Sequence, residues 1–152
     1  MDFHFASAWE IVADKYPNRV ATISDDKPLS WKDFERRASC IASLLEEHGL
    51  GADSKAGLYL HNCSEYQEAQ FGIFKVGGCP INVNYRYKSD ELVYLLENSD
   101  AEAVFFQSCY AMRIWEIRER LPKVKLFVQI DDGTESLLEG AVDYERAIRT
   151  HQ

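Results

Sequence analysis

The sequence predicts an α/β protein: a three-layer αβα sandwich with a mostly parallel sheet, preceded by an N-terminal helix and a β-hairpin. The main observation is that short apolar strands and amphipathic helices alternate strictly from residue 55 onward. A helix between successive strands implies right-handed crossovers, and therefore a parallel sheet with helices on its faces. The second observation is size and composition, since 152 residues of which 46% are hydrophobic can enclose one core.

Residues 1–54 are predicted to form the N-terminal helix, the hairpin and a second, longer helix. Apolar residues recur at helical spacing from Phe5 to Tyr16, and Pro17 ends that segment. Val, Thr and Ile are frequent between Arg19 and Ser24. After an Asp-Asp-Lys turn the chain returns at Leu29 to Trp31, which is typical of a hairpin.

The longer helix has both a start signal and a stop signal. Ser30 and Asp33 resemble a capping box, with Asp in the place where Glu or Gln is usual. Gly49 or Gly51 is expected to close the helix, because glycine readily adopts the left-handed conformation found after helix ends.

Residues 55–130 are predicted to form the alternating core. Ser64 and Ser89 are interpreted as N-caps of two helices. A third helix is expected from Ser108 to Leu121. The predicted strands are Lys55 to Leu60, Cys79 to Val83, Ala103 to Phe106 and Lys125 to Ile130. Residues 131–152 are expected to begin a linker that carries a last short helix, Tyr144 to Thr150.

Charge and composition argue against several classes of function. A formal net charge of -8 disfavours nucleic acid and anionic membranes as partners, because both favour basic patches. No apolar run approaches the roughly 20 residues that span a bilayer, and the N-terminus lacks the pattern of a signal peptide. The four cysteines form no C-x-x-C pair, and the histidines are scattered. We therefore expect free thiols, no metal site and a cytoplasmic location. The loop His61 to Cys63 is not a G-x-G-x-x-G loop, which disfavours a dinucleotide site.

The clearest indication of function is the run Asn82 to Lys88, between a predicted strand end and a predicted helix start. Open α/β sheets bind their ligands at this edge. Arg86 can form two parallel hydrogen bonds with phosphate oxygens, and the helix start near Ser89 adds its positive dipole end. The alternative is a surface arginine paired with Asp90 or Glu91. The residues alone leave both interpretations open.

Three consecutive segments resemble core motifs of the adenylate-forming enzymes, the acyl-CoA synthetase superfamily. LSWKDFERRASCIASLLEEHGL (29–50) is similar to the first motif, a Leu-Ser/Thr-Tyr-x-Glu-Leu pattern that opens a long helix. Residues 57–86 resemble the next block, with its Lys-x-Gly-Gly helix end and an exit that carries Pro, Asn and Arg, here Pro80, Asn82 and Arg86. Residues 87–106 resemble the block after that. The run Asn-Val-Asn-Tyr-Arg-Tyr is closer to the fatty-acyl and steroid-acyl CoA ligases of actinobacteria than to amino-acid adenylation domains.

The resemblance implies an ATP-dependent acyl-CoA ligase, which activates a carboxylic acid as acyl-AMP and transfers it to CoA. The full-length enzyme would use ATP, CoA and Mg²⁺, and a homodimer is possible. At the matching turn of related ligases an arginine contacts the phosphates of the CoA nucleotide. The residues carried over are two candidate CoA-phosphate contacts, Arg86 and the weaker Arg113, and four turn-shaping residues, Gly77, Gly78, Pro80 and Asn84. No catalytic and no metal-binding residue is carried over.

The 152 residues contain no Ser/Thr/Gly-rich phosphate loop of the kind this family uses for ATP. We therefore expect residues 1–152 to form an N-terminal subdomain fragment, an incomplete portion of a larger N-terminal domain that is inactive alone. Other interpretations stay open at this point. They are a non-catalytic binding or assembly module, an adenylation domain for another class of acid, and an unrelated nucleotide-binding α/β domain.

Overall fold

A computed structural model describes residues 4–151 and confirms the α/β class. The helices are α1 (Phe5–Lys15), α2 (Trp31–Glu47), α3 (Ser64–Lys75), α4 (Ser89–Asn98), α5 (Ala111–Ile117) and α6 (Tyr144–Thr150). The strands are β1 (Val20–Ser24), β2 (Lys27–Ser30), β3 (Lys55–Tyr59), β4 (Cys79–Asn82), β5 (Ala101–Gln107), β6 (Leu126–Ile130) and β7 (Val142–Asp143).

The main sheet has five strands in the order β4-β3-β5-β6-β7, and every neighbouring pair is parallel. The predicted parallel sheet is thus confirmed, and β7 is an addition that the sequence pattern did not indicate. The predicted hairpin is also confirmed as a separate antiparallel pair, β1 with β2. Its second strand begins at Lys27 because Asp25 and Asp26 form a tight turn with positive φ angles of 48° and 60°.

Helices cover both faces of the sheet, which confirms the three predicted layers. Helices α2, α3 and α6 pack on one face against Leu58 and Phe105, while α4 and α5 pack on the other face against Tyr59 and Phe106. Adjacent residues lie on opposite faces because side chains alternate along a strand. All four are buried, so both faces of the central strands belong to the core.

The N-terminal elements pack on the outer side of α2 and α3 through a small aromatic cluster. The ring of Trp9 on α1 stacks on Phe71 of α3 and lies 5.5 Å from the rings of Trp31 and Phe34, measured between centroids. Phe34 and Phe71 are buried. Aromatic contacts of this kind stabilise the fold beyond the area they bury, so the cluster fixes α1 on the sandwich.

The helix starts agree with the predictions in one case and differ in two. Ser30 caps α2 as predicted, because its hydroxyl accepts the backbone N–H of Asp33 at 3.1 Å. Ser64 does not cap α3. It is the first helical residue, and the N-cap position is Cys63. At α4 the N-cap position is Lys88 rather than Ser89, and the start is stabilised by Glu91, as described below.

The helix predicted from Ser108 to Leu121 is interrupted. A 3-10 turn (Ser108–Tyr110) precedes α5, and a second one (Arg118–Arg120) follows it. The reason at the start is the buried hydroxyl of Ser108, which donates to the carbonyl of Ile130 at 3.2 Å and accepts the side-chain amide of Gln129 at 2.9 Å. These bonds tie the first turn to β6.

Residues 131–151 contribute to the core, whereas the sequence led us to expect the start of a linker. The segment adds β7 to the sheet edge and places α6 against α2. The short helix from Tyr144 to Thr150 is confirmed. The hydroxyl of the buried Tyr144 donates to Oε2 of the buried Glu68 at 2.8 Å, and Glu68 also accepts Nε of Arg37 at 2.9 Å. This network joins residues that are distant in the sequence, so no local pattern predicts it. It holds residues 131–151 against the rest of the sandwich.

Candidate functional site

The strand order places a reversal of connection direction at the carboxyl edge of the sheet, and the gap between the loops after β3 and β5 is termed the crevice. The chain runs from β3 to β4 on one side and then crosses back to β5 on the other side. The helices that follow β3 and β5 therefore pack on opposite faces, and the two loops separate. Reversal points of this kind are where open α/β sheets bind ligands. The backbone N–H of His61 spans the crevice and donates to Oε1 of Gln107 at 2.7 Å.

Arg86 lies beside this crevice, in the turn that follows the edge strand β4. The side chain of Asn84 accepts the backbone N–H of Arg86 at 3.0 Å, and its carbonyl accepts the N–H of Tyr87 at 3.0 Å. An asparagine that binds the backbone two residues further on is a common way to close a turn. Arg86 is exposed, and its guanidinium carbon lies 5.6 Å from the centroid of the Tyr85 ring. The turn thus presents a cation at the carboxyl edge of the sheet.

The alternative ion pairs of Arg86 are not formed. The carboxylate of Asp90 pairs with Arg120 at 3.0 Å. The carboxylate of Glu91 accepts the backbone N–H of Lys88 at 2.9 Å and stabilises the start of α4. Within residues 4–151 Arg86 makes no salt bridge. Its guanidinium is therefore free to bind an anion.

Arg113, the weaker candidate, lies behind the same turn and is half-buried. Its Nη1 donates to the carbonyl of Tyr87 at 2.8 Å and also to the hydroxyl of Tyr59. The guanidinium carbon lies 5.8 Å from the centroid of the Tyr110 ring. Part of the guanidinium is thus occupied by the protein itself. Its contact with a CoA nucleotide stays a prediction.

Tyr59 is a site residue that the sequence analysis missed. It is the last residue of β3 and is fully buried, yet its hydroxyl reaches the turn and can donate to the carbonyls of Tyr85, at 3.3 Å, and Tyr87, at 3.0 Å. Burial raises the pKa of Tyr59, so its hydroxyl keeps its proton and acts as a donor at neutral pH. A tyrosine that ends an apolar strand was the only local signal.

His61 is a second residue at the site that the sequence analysis did not identify as a candidate. Its ring stacks on Tyr85 with a centroid distance of 4.5 Å and on Tyr110 with a distance of 5.6 Å, and its Nε2 is hydrogen-bonded to the Tyr110 hydroxyl. Loss of solvent raises the pKa of Tyr110 to about 12, so the phenol stays neutral. The stack joins the loops after β3, β4 and β5.

The turn-shaping residues occupy places that restrict the residue type. Gly77 has a φ of +75°, a region that side chains rarely adopt. A Cβ at Gly78 would lie 2.9 Å from the carbonyl oxygen of Ser54, so the close approach of the two backbones requires glycine. Pro80, opposite Ala56, lies in the edge strand, where a missing N–H is tolerated.

The candidate site offers an exposed cation, Arg86, and the thiol of Cys109, after β5, is a poor nucleophile. Loss of solvent and a hydrogen bond to Asp132 raise the pKa of the Cys109 thiol to about 11, so the sulfur is protonated at neutral pH and is a poor nucleophile. Among the described residues no group of three His, Cys, Asp or Glu side chains could hold a metal ion. None of the helices between residues 4 and 151 has the length and apolar character to cross a bilayer.

Comparisons with known proteins identify the family and the fold of the chain. The sequence model of one family, described as AMP-binding enzyme, matches residues 9–150. A 3-oxocholest-4-en-26-oate–CoA ligase of Rhodococcus rhodochrous is 35% identical over 97% of this chain and 27% of its own length. The medium-chain acyl-CoA ligase Mig of Mycobacterium avium is 35% identical over 90% of this chain and 28% of its own. Among solved structures, the anthranilate CoA ligase AuaEII in complex with anthranoyl-AMP superposes with a TM-score of 0.89 at 22% identity, covering 97% of this chain and 28% of the other. The chain spans little more than a quarter of these proteins.

Proposed function

This chain belongs to the AMP-binding enzyme family, and from that premise we propose that it forms the corresponding part of an ATP-dependent acyl-CoA ligase. The family predicted from the sequence motifs is confirmed, since two similar relatives bear the names of a 3-oxocholest-4-en-26-oate–CoA ligase and a medium-chain acyl-CoA ligase. Those names support a carboxylic acid with a fatty or steroid-type acyl chain as the substrate.

The proposed reaction has two steps, and this chain contributes to the second. The carboxylate attacks the α-phosphate of ATP, which forms acyl-AMP and releases pyrophosphate. The thiolate of CoA then attacks the acyl carbon, and AMP leaves. In this scheme Arg86 holds a phosphate group of the CoA nucleotide while the thiol reaches the adenylate. Its exposed guanidinium, free of acidic partners at the carboxyl edge of the sheet, is the observation that carries the proposal.

The proposal also includes Mg²⁺, a cytoplasmic location and a homodimer. Mg²⁺ is proposed for the complete enzyme because ATP chemistry of this type uses it. Among the described residues no group of three His, Cys, Asp or Glu side chains could hold this ion. A cytoplasmic location is supported by four free thiols. A homodimer is supported by exposed apolar side chains on α1 and β1, where Phe5 and Ile23 are 72% and 69% exposed.

The test of the phosphate contact compares Arg86→Ala and Arg86→Lys in the complete enzyme. A charge-assisted hydrogen bond contributes roughly 1.5–3 kcal/mol, so Arg86→Ala should raise the KM for CoA by about tenfold to a hundredfold. The rate of ATP–pyrophosphate exchange, which reports adenylate formation, should stay the same. Arg86→Lys should recover only part of the loss, because an ammonium group cannot bind two oxygens in parallel.

Arg19→Ala is the matched control, since it removes an equal charge from an exposed arginine in the turn before β1, whose guanidinium carbon lies 5.0 Å from the centroid of the Tyr16 ring. We expect its KM for CoA to match that of the unmodified enzyme. A KM for CoA that is unchanged in Arg86→Ala, or equally raised in Arg19→Ala, would remove the assignment of Arg86 as a phosphate ligand.

A further inference from the structure

The backbone on both sides of Arg86 is held from behind by two side chains from other elements. Tyr59 comes from the end of β3 and Arg113 from α5. Both side chains donate to the carbonyl of Tyr87, directly after Arg86, and the Tyr59 hydroxyl also lies 3.3 Å from the carbonyl of Tyr85, directly before it. Nothing in the local sequence of the turn requires these contacts.

The hydrogen bonds are shared in a way that makes the two side chains one unit. The carbonyl of Tyr87 accepts the Tyr59 hydroxyl at 3.0 Å and Nη1 of Arg113 at 2.8 Å, which uses both of its lone pairs. The same Nη1 donates to the Tyr59 oxygen. Because Tyr59 is fully buried, its hydroxyl has no water to replace a lost partner, and the contacts are costly to break.

The side chain of Arg86, by contrast, makes no hydrogen bond or salt bridge of its own within residues 4–151; only its backbone N–H is bound, to Asn84. Its direction is therefore set mainly by the backbone of the turn and by the Tyr85 ring, over which it lies. A long side chain loses conformational entropy when it binds a ligand. A backbone that is already fixed makes this entropy loss smaller.

We propose that Tyr59 and Arg113 are positioning residues, which hold the turn so that the guanidinium of Arg86 faces the crevice ready for phosphate. This inference rests on the proposed function of Arg86. It assigns Arg113 a role through Arg86, in contrast to the direct contact with the CoA nucleotide that the sequence resemblance implies. The two roles differ in one measurable respect: a positioning residue has no effect once Arg86 is absent.

The experiment is a double-mutant cycle in the complete enzyme with Arg86→Ala, Arg113→Met and the two combined. Tyr59→Phe is added because it removes only the hydroxyl and keeps the buried ring. The control is Arg118→Met, since Nη1 of Arg118 also donates to a backbone carbonyl, that of Glu139 at 2.9 Å, away from the turn. For each variant the KM for CoA, the rate of ATP–pyrophosphate exchange and the melting temperature are measured.

We expect Arg113→Met and Tyr59→Phe each to raise the KM for CoA by about twofold to tenfold, the range that corresponds to freeing one or two ordered side chains. Pyrophosphate exchange should stay within the range of Arg118→Met. Adding Arg113→Met to Arg86→Ala should change nothing further, because the positioned group is already gone.

Two outcomes would overturn the inference while leaving Arg86 as the phosphate ligand. One is an unchanged KM for CoA in Tyr59→Phe. This variant tests the positioning role even if Arg113→Met does not fold. The other is a rise on adding Arg113→Met to Arg86→Ala that equals the rise in the unmodified enzyme, since Arg113 would then touch the nucleotide directly. An unchanged KM in Arg86→Ala alone would overturn both the inference and the proposed function.

Discussion

Replacing Tyr144 by Phe removes one hydroxyl from the buried network that holds α6 against α2 and α3. The hydroxyl donates to Oε2 of Glu68 at 2.8 Å, while the other carboxylate oxygen accepts Nε of Arg37 at 2.9 Å. Tyr144 and Glu68 are each only 1% exposed, so water cannot take the place of the missing donor. The phenyl ring fits the same space, and the change therefore isolates a single hydrogen bond to a charged acceptor.

The expected cost is roughly 1.5–3 kcal/mol of unfolding free energy, the usual contribution of a hydrogen bond to a charged group. For a domain of this size that corresponds to a fall in melting temperature of about 4–10 °C. The matched control is Tyr66→Phe, on α3. Tyr66 is half-buried, and its hydroxyl makes no hydrogen bond within residues 4–151. That variant should melt within about 1 °C of the unmodified protein.

The cost should also depend on pH. Burial raises the pKa of Glu68, and the bonds from Arg37 and Tyr144 lower it in part. Without the Tyr144 hydroxyl the pKa of Glu68 in the folded variant rises further. The folded variant then binds its proton more tightly than the unfolded chain, so lowering the pH stabilises it. The difference between Tyr144→Phe and the unmodified protein should therefore be largest at neutral pH and shrink towards acid pH.

Thermal unfolding followed by circular dichroism, at neutral and at acid pH, provides the measurement. A Glu68→Gln background supplies the second test, because the acceptor there is neutral and Tyr144→Phe should cost only about 0.5–1.5 kcal/mol. If Tyr144→Phe melts like Tyr66→Phe, or costs the same with and without Glu68→Gln, the reasoning from a buried charge-assisted bond is wrong.

Two further predictions concern packing and pH. Gly72→Ala should lower the free energy of unfolding by about 1–3 kcal/mol in a chemical denaturation experiment. The reason is that the added Cβ would lie 2.6 Å from Cγ2 of Ile41 and 3.0 Å from the carbonyl oxygen of Ala38. A more stable variant would mean that the higher helix propensity of alanine outweighs these close contacts. The pKa of His151 is raised above its ordinary value of 6.5 by hydrogen bonds to the Ala147 carbonyl and Glu47. The contribution of the His151–Glu47 bond to stability is therefore fully present below pH 6.5 and is lost as the pH rises through the raised pKa. His151→Gln should cost up to about 1 kcal/mol at pH 5.5 and less at pH 8, and equal costs at both would contradict the assignment.

Much of the architecture could be predicted because its signals are local. The alternation of strands and helices after residue 55 indicated the sandwich, and the spacing of Ser30 and Asp33 located the start of α2. The position of Arg86 between a strand end and a helix start indicated that it lies at the carboxyl edge of the sheet. These signals lie within a few residues of one another, where chain geometry leaves few alternatives.

The missed features depend on contacts between distant parts of the chain. Asp90 and Glu91 lie within five residues of Arg86, yet Asp90 binds Arg120 and Glu91 caps its own helix. Their proximity in the sequence therefore did not show whether either of them pairs with Arg86. The short strand β7 forms only because β6 offers an edge to pair with. The sequence pattern of residues 131–151 indicated the start of a linker because their structure also depends on contacts with distant parts of the chain.

Local pattern therefore established the α/β class, the run of elements and the arginine at the strand exit. Folding in three dimensions added the order of the strands, the crevice between β3 and β5, and the support behind the Arg86 turn. Tyr59 and Arg113 are 54 residues apart, and neither has a pattern around it that predicts the other. They meet because parallel strands bring their carboxyl ends to one edge of the sheet, where a buried hydroxyl must find a partner.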